Sequence, residues 1–141
     1  MEQKGFDGCF GCGPSSEYGL RATFRNMENG DVEGVCTFQE QHCGYQDTVH
    51  VGAVAGFLSE VLGRLSFQRD MYYLTQSLKV TFRCAISPGV KVRAFATLKR
   101  ETAKHFTAEA KMFGPDGTLV ALGEGRFLLM EAATTKRILR P

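Results

Sequence analysis

The chain has 141 residues, 43% of them hydrophobic, with 17 basic against 15 acidic side chains and a net charge of +2. That length suits one domain, which would bury roughly 68% of its extended-chain surface and need no disulfide staples. A general nucleic-acid binder carries a strong basic excess, and a charge this near balance argues against one. The chain also lacks any run of about eighteen apolar residues, so a membrane-spanning helix is excluded.

Met1 to Gly5 leads into no apolar stretch, so no secretory signal is expected. Five cysteines, an odd number, fit a reducing cytoplasm better than a disulfide framework. Residues 1–19 are rich in Gly, Ser and Cys without periodicity and read as a lead-in loop. Residues 20–130 carry all the periodic segments, and residues 131–141 form a basic tail with Lys136, Arg137 and Arg140.

From Leu20 the period is two. Ala22 and Phe24 alternate with polar neighbours, and Asn29-Gly30 predicts a two-residue hairpin turn. Val32, Cys36 and Phe38 then mark a second antiparallel strand. A polar loop over 39–50 precedes a switch to helical spacing at Val51, Val54, Ala55, Leu58, Val61, Leu62 and Leu65. About seventeen helical residues would run roughly 25 Å. One stripe of this helix reads Gly52, Gly56, Glu60, Gly63. Each glycine costs about 1 kcal/mol against alanine in a helix, so the stripe predicts close approach by other backbone and a helix covered on most sides.

Four longer strands follow. Their inward faces are Leu78, Val80 and Phe82; Val90 to Leu98; Phe106 to Met112; and Ala121, Gly123, Gly125 and Phe127. Ser87-Pro88-Gly89, Thr102 to Lys104 and Pro115-Asp116-Gly117 supply the turns. Short connections predict an antiparallel meander. With no second helix to cover the first, one sheet must wrap it. The fold class is α+β, one long central helix wrapped by a curved antiparallel sheet of about six strands.

This layout carries two local strings, Cys9-Phe10-Gly11-Cys12-Gly13-Pro14 and His42-Cys43-Gly44-Tyr45-Gln46-Asp47-Thr48-Val49-His50-Val51-Gly52. With a looser one, Asp116-Gly117-Thr118-Leu119-Val120-Ala121 and Gly125-Arg126-Phe127, it resembles the hotdog-fold acyl-CoA thioesterase superfamily, most of all its phenylacetate-pathway branch. The family pattern at the helix start is His-Gly-Gly followed nine or ten positions on by Asp or Glu. Here the His is His50, Val51 stands for the first Gly, Ser59 occupies the usual Asp place and Glu60 follows it.

The resemblance implies hydrolysis of an acyl- or aryl-CoA thioester by a homodimer or tetramer, with the helix start and the carboxylate supplied by opposite subunits. No cofactor is expected. The resemblance also makes Thr75 a holder of the attacking water.

Thioester hydrolysis needs positive potential on the carbonyl oxygen and a base or nucleophile about 3 Å from the reacting atoms. The free N–H groups at a helix start supply the first. Gly52, without a side chain, is the expected backbone donor, and Glu60 is the expected base or nucleophile. The two share a stripe 2.2 turns apart, about 12 Å along the helix. His50 is expected to orient or cap. Asp47, Ser59, Arg64 and Arg83 are the candidate substrate contacts, the two arginines for the nucleotide end of CoA. The plainer reading of Glu60 is a structural carboxylate paired with Arg64 four residues on.

Cys9-x-x-Cys12 lacks a second paired spacing, so neither zinc nor redox chemistry is expected there, and its loop should pack on the sheet edge near the ligand mouth. Two alternatives remain beside hydrolysis. One is a hotdog module that binds acyl-CoA without turnover, which Val51 and Ser59 suggest. The other is an enoyl-thioester hydratase pairing His50 with Asp47 or Glu60.

Overall fold

A computed structural model describes residues 7–69 and 71–130, so the basic tail lies outside the described residues. Six strands and one α-helix follow in the expected order: β1 (Thr23–Asn26), β2 (Val32–Thr37), α1 (Val51–Gly63), β3 (Tyr72–Phe82), β4 (Lys91–Glu101), β5 (His105–Phe113) and β6 (Leu119–Met130). All strand pairs are antiparallel in one sheet, ordered β1-β2-β4-β5-β6-β3. The α+β class and the wrapped helix stand as read from the sequence.

The helix rests in a trough that the sequence prepares with small side chains. Ala96 on β4 pairs with Ala110 on β5, which pairs with Gly123 on β6. Larger residues close this row at both ends, Val32 on β2 and Val80 on β3. Into the trough go Phe57, Leu58, Val61 and Leu62, all fully buried. On β2, Gly34 leaves no room to spare, because a Cβ there would lie 2.5 Å from Val61 Cγ2. A Cβ on Gly123 would meet Leu58 and Leu62 at an ordinary 3.5 Å. Aromatic rings fill the helix's flanks, with Phe106 stacked on Phe127 at 4.8 Å and Phe38 edge-on to Phe57 at 6.1 Å.

Four local expectations change. The first hairpin is longer than a two-residue turn. Asn26 pairs with Val32, and the loop between them closes through Met27 N–H to Asp31 O and Gly30 N–H to Met27 O, with Gly30 at φ +92°. The α-helix ends at Gly63 and tightens into a 3-10 segment over Arg64–Arg69, where Ser66 Oγ donates to Gly63 O. The meander holds only for β4-β5-β6, since β3 sits at the sheet edge beside β6. The chain therefore crosses from β3 back to β4 past the helix start, pinned by Val49 N–H to Ile86 O and Gly89 N–H to Phe38 O. Finally, Phe82 at the end of β3 is 44% exposed and lines a surface cavity instead of the core.

The first three strands of the sheet order share one buried charge. Glu33 on β2 accepts from Arg25 on β1 and from Arg93 on β4, the latter at 2.8 Å. The Arg25 hydrogen bond, then that of Arg93, holds the Glu33 carboxyl below the usual carboxylate range.

Two outcomes follow in denaturant and pH titrations. Gly34→Ala should lose about 1–3 kcal/mol by overpacking against Val61, while Gly123→Ala should change stability by less than about 1 kcal/mol. Equal effects would contradict the trough. For Glu33 the folded pKa is the lower one, so its contribution is complete above the ordinary carboxylate pKa and is lost as pH falls through the folded value. Glu33→Gln should therefore be less stable at neutral pH and should lose less on acidification than the parent chain.

Candidate functional site

The loop before α1 is built around two histidines. His42 is buried, its Nδ1 accepting from Gln39 N–H while Nε2 lies 3.0 Å from Tyr18 O and 3.2 Å from Gly19 O. It ties this loop to the segment before β1. His42 O in turn accepts from His50 N–H, and Cys43 bridges to Val49. The short excursion between them turns through Gly44 and Asp47, the latter at φ +59°.

His50 is the N-cap of α1, in extended conformation, and its Nδ1 accepts from Gly52 N–H at 2.8 Å. The ring sits between two glycines. A Cβ on Gly52 would lie 2.9 Å from Nδ1, and one on Gly44 would lie 2.9 Å from Cδ2. The expected free amide of Gly52 is therefore occupied by the capping ring, and the missing side chain at 52 makes room for that ring rather than for a ligand. Because Nδ1 accepts, this hydrogen bond assigns the neutral ring's proton to Nε2. A donor is thus available on a residue at the positive end of the helix.

Beside this helix start lies a cavity of about 640 Å³. Val49, Val51, Val54, Ile86 and Val120 make it mainly apolar, while His50, Thr48, Arg83 and Cys84 add the polar groups. Its rim carries large apolar groups open to solvent: Tyr45 at 85%, Val51 at 55% and Phe82 at 44% exposure. An apolar chamber with a few convergent polar groups is the usual form of a small-molecule site. The crossing connection from β3 to β4 supplies one whole wall. Its contribution went unread in the sequence, where Arg83 was singled out but Phe82 and Ile86 were read as strand core or passed over.

The remaining candidates lie elsewhere. Glu60 does not line this cavity. Its side chain packs beneath Gly11, where any Cβ would collide with it. The loop of Cys9 to Gly13 thus covers Glu60 on the helix stripe, and it is bonded through Phe10 O and Gly11 O to the segment entering the edge strand β1. Burial pushes the Glu60 carboxyl above its usual range, with Arg64 opposing. Arg64 is buried between the rings of Phe24 at 4.1 Å and Phe67 at 4.6 Å, and its Nη2 has no hydrogen-bond partner among the described residues. Tyr73 closes this second cluster, its phenol also held above the usual range by burial.

Ser59 is half-buried on α1. Thr75 is exposed on β3, at a register shift between Thr75 and Ser77. Asp47 is exposed on the loop beside the rim. The structure therefore brings His50, Gly52 and Arg83 to one place and Glu60 with Arg64 to another.

Comparison with known proteins supports the fold. No family model and no curated protein matches the sequence. Among solved structures, the PaaI protein of the E. coli phenylacetic acid degradation operon superposes with a TM-score of 0.73 at 14% identity, over 79% of this chain and 80% of that one. A putative thioesterase of Lactococcus lactis gives 0.74 at 16% identity, over 79% and 94%. A hypothetical thioesterase of Streptococcus pneumoniae, solved with coenzyme A, gives 0.72 at 10% identity, over 78% and 89%. The chain has the hotdog fold of these thioesterase-superfamily structures.

Proposed function

We propose that this protein binds a coenzyme A thioester, acyl or aryl, and hydrolyses it at the start of α1. The observation that carries the proposal is the apolar cavity opening beside the positive end of the helix. Its size suits an acyl or aryl group, and the chain's fold is shared with a hypothetical thioesterase crystallised with coenzyme A. In this reading the carbonyl oxygen sits at the helix start, where His50 Nε2–H and the helix dipole oppose its developing negative charge. Arg83 meets an anionic part of the ligand.

The long open edge of β3 supports a homodimer. β3 is the last strand of the sheet among the described residues, Leu74 and Phe82 on it are exposed, and an edge strand of this kind is a template for pairing with a second copy. Glu60 is the carboxylate assigned to activate water or attack, and in this reading it serves the cavity of the other copy. The position of Glu60 under the Gly11 loop favours a second reading, binding without turnover.

Thiol release from a panel of CoA thioesters, with binding followed by thermal shift, separates these readings. The hydrolytic reading expects turnover by the parent chain and its loss in Glu60→Gln with binding retained. His50→Ala should lower kcat by about 10²–10³, the usual cost of one oxyanion donor. His50→Asn keeps an N-cap, so full activity in that variant would reduce His50 to a cap. Arg83→Ala should raise KM with little change in kcat. Stabilisation by CoA thioesters with no thiol release would establish the second reading, and neither stabilisation nor release would contradict both.

A further inference from the structure

We infer that Cys9, Cys12 and Glu60 form a binding site for a thiophilic divalent cation of the zinc class. One sulfur from each cysteine and one carboxylate oxygen lie within 4.8 Å of one another. In a tetrahedral zinc site with bonds of about 2.3 Å to sulfur and 2.0 Å to oxygen, such ligand atoms stand roughly 3.5–3.8 Å apart. Contraction by about 1 Å, within reach of side-chain rotation, therefore completes three corners of a tetrahedron.

Backbone bonds, not chance side-chain placement, hold the sulfurs there. Gly13 N–H donates to Cys9 O at 2.9 Å and closes the Cys-x-x-Cys turn. Leu20 N–H to Phe10 O at 2.7 Å and Ala22 N–H to Gly11 O at 3.0 Å then clamp the turn to the segment entering β1. Gly11 allows this turn to lie directly on the Glu60 side chain. The spacing of two residues between the cysteines is the one a zinc ion selects for two ligands from one turn.

Two sulfurs select a soft or borderline metal over magnesium or calcium. Cys9 and Glu60 are only half-buried, which leaves an approach for the ion and a fourth position for water or an added ligand. The expectation of no metal rested on the missing second cysteine pair; the third ligand comes instead from the middle of the sequence, on α1. Because Glu60 cannot ligate the ion and activate water at once, this inference rests on the second reading above, binding without turnover, and its test reads metal binding rather than thiol release.

The test is titration of the reduced full chain with Co²⁺, following the thiolate-to-metal charge-transfer absorption, and then competition with Zn²⁺. The inference expects one equivalent to saturate the band and Zn²⁺ to abolish it. Cys9→Ser and Cys12→Ser should each remove the band, and Glu60→Gln should keep it while weakening binding at least tenfold. Cys84→Ser, an exposed cysteine, should leave it unchanged. Absence of the band in the parent chain would overturn the inference whatever the variants do to folding. So would its survival in folded Cys9→Ser or Cys12→Ser, or binding by Glu60→Gln as tight as the parent's.

Discussion

The contact between α1 and the small-residue row of the sheet governs everything else in this molecule. Ala96, Ala110 and Gly123 let the helix sink until Leu58, Val61 and Leu62 are fully out of water. Each such side chain contributes about 1.5–3 kcal/mol by burial, so a few of them match the whole net stability of an ordinary domain. Beside the start of the buried helix, the loop before α1, the connection from β3 to β4, and Phe82 and Val120 at the strand ends enclose the cavity.

The same geometry divides the polar chemistry of the helix between its two ends. At the start, His50 satisfies a free amide and presents its second nitrogen at the positive pole. Two turns further on, the lead-in loop covers Glu60, and burial holds its carboxyl above the usual range. The stripe of glycines that connects these places serves two purposes. Gly52 accepts an imidazole ring and Gly63 accepts the ring of Tyr73, so side chains rather than the expected neighbouring backbone fill the space the glycines leave. One helix thus carries a start that borders the cavity and a carboxylate covered by the lead-in loop.

Much of this was legible in the sequence because it is written in local periodicity. Alternation through β4, β5 and β6 identified the buried faces residue by residue, and the change to three-and-four spacing at Val51 located α1 to within one turn of its end. The neighbour of β3 was not legible. Its pairing with β6 spans most of the chain's second half, and alternation says which face is buried without saying beside what. Phe82 failed for a related reason, since a strand's alternation does not reveal which of its apolar positions the finished fold leaves open. Gly52 was read as an opening for ligand because glycine in sequence signals only missing bulk. Whether an imidazole or a carbonyl oxygen fills the space is decided by the rotamer of His50. Cys9 and Cys12 looked incomplete because their third companion lies on another element, out of reach of any spacing rule.

The most direct measurement is a crystal structure of the protein with a CoA thioether, in which the scissile thioester is replaced by a stable linkage. The account predicts the acyl or aryl group inside the chamber against Val54 and Ile86, with the linkage beside His50 at the helix start. A thioether bound elsewhere on the molecule, with that chamber empty, would contradict it.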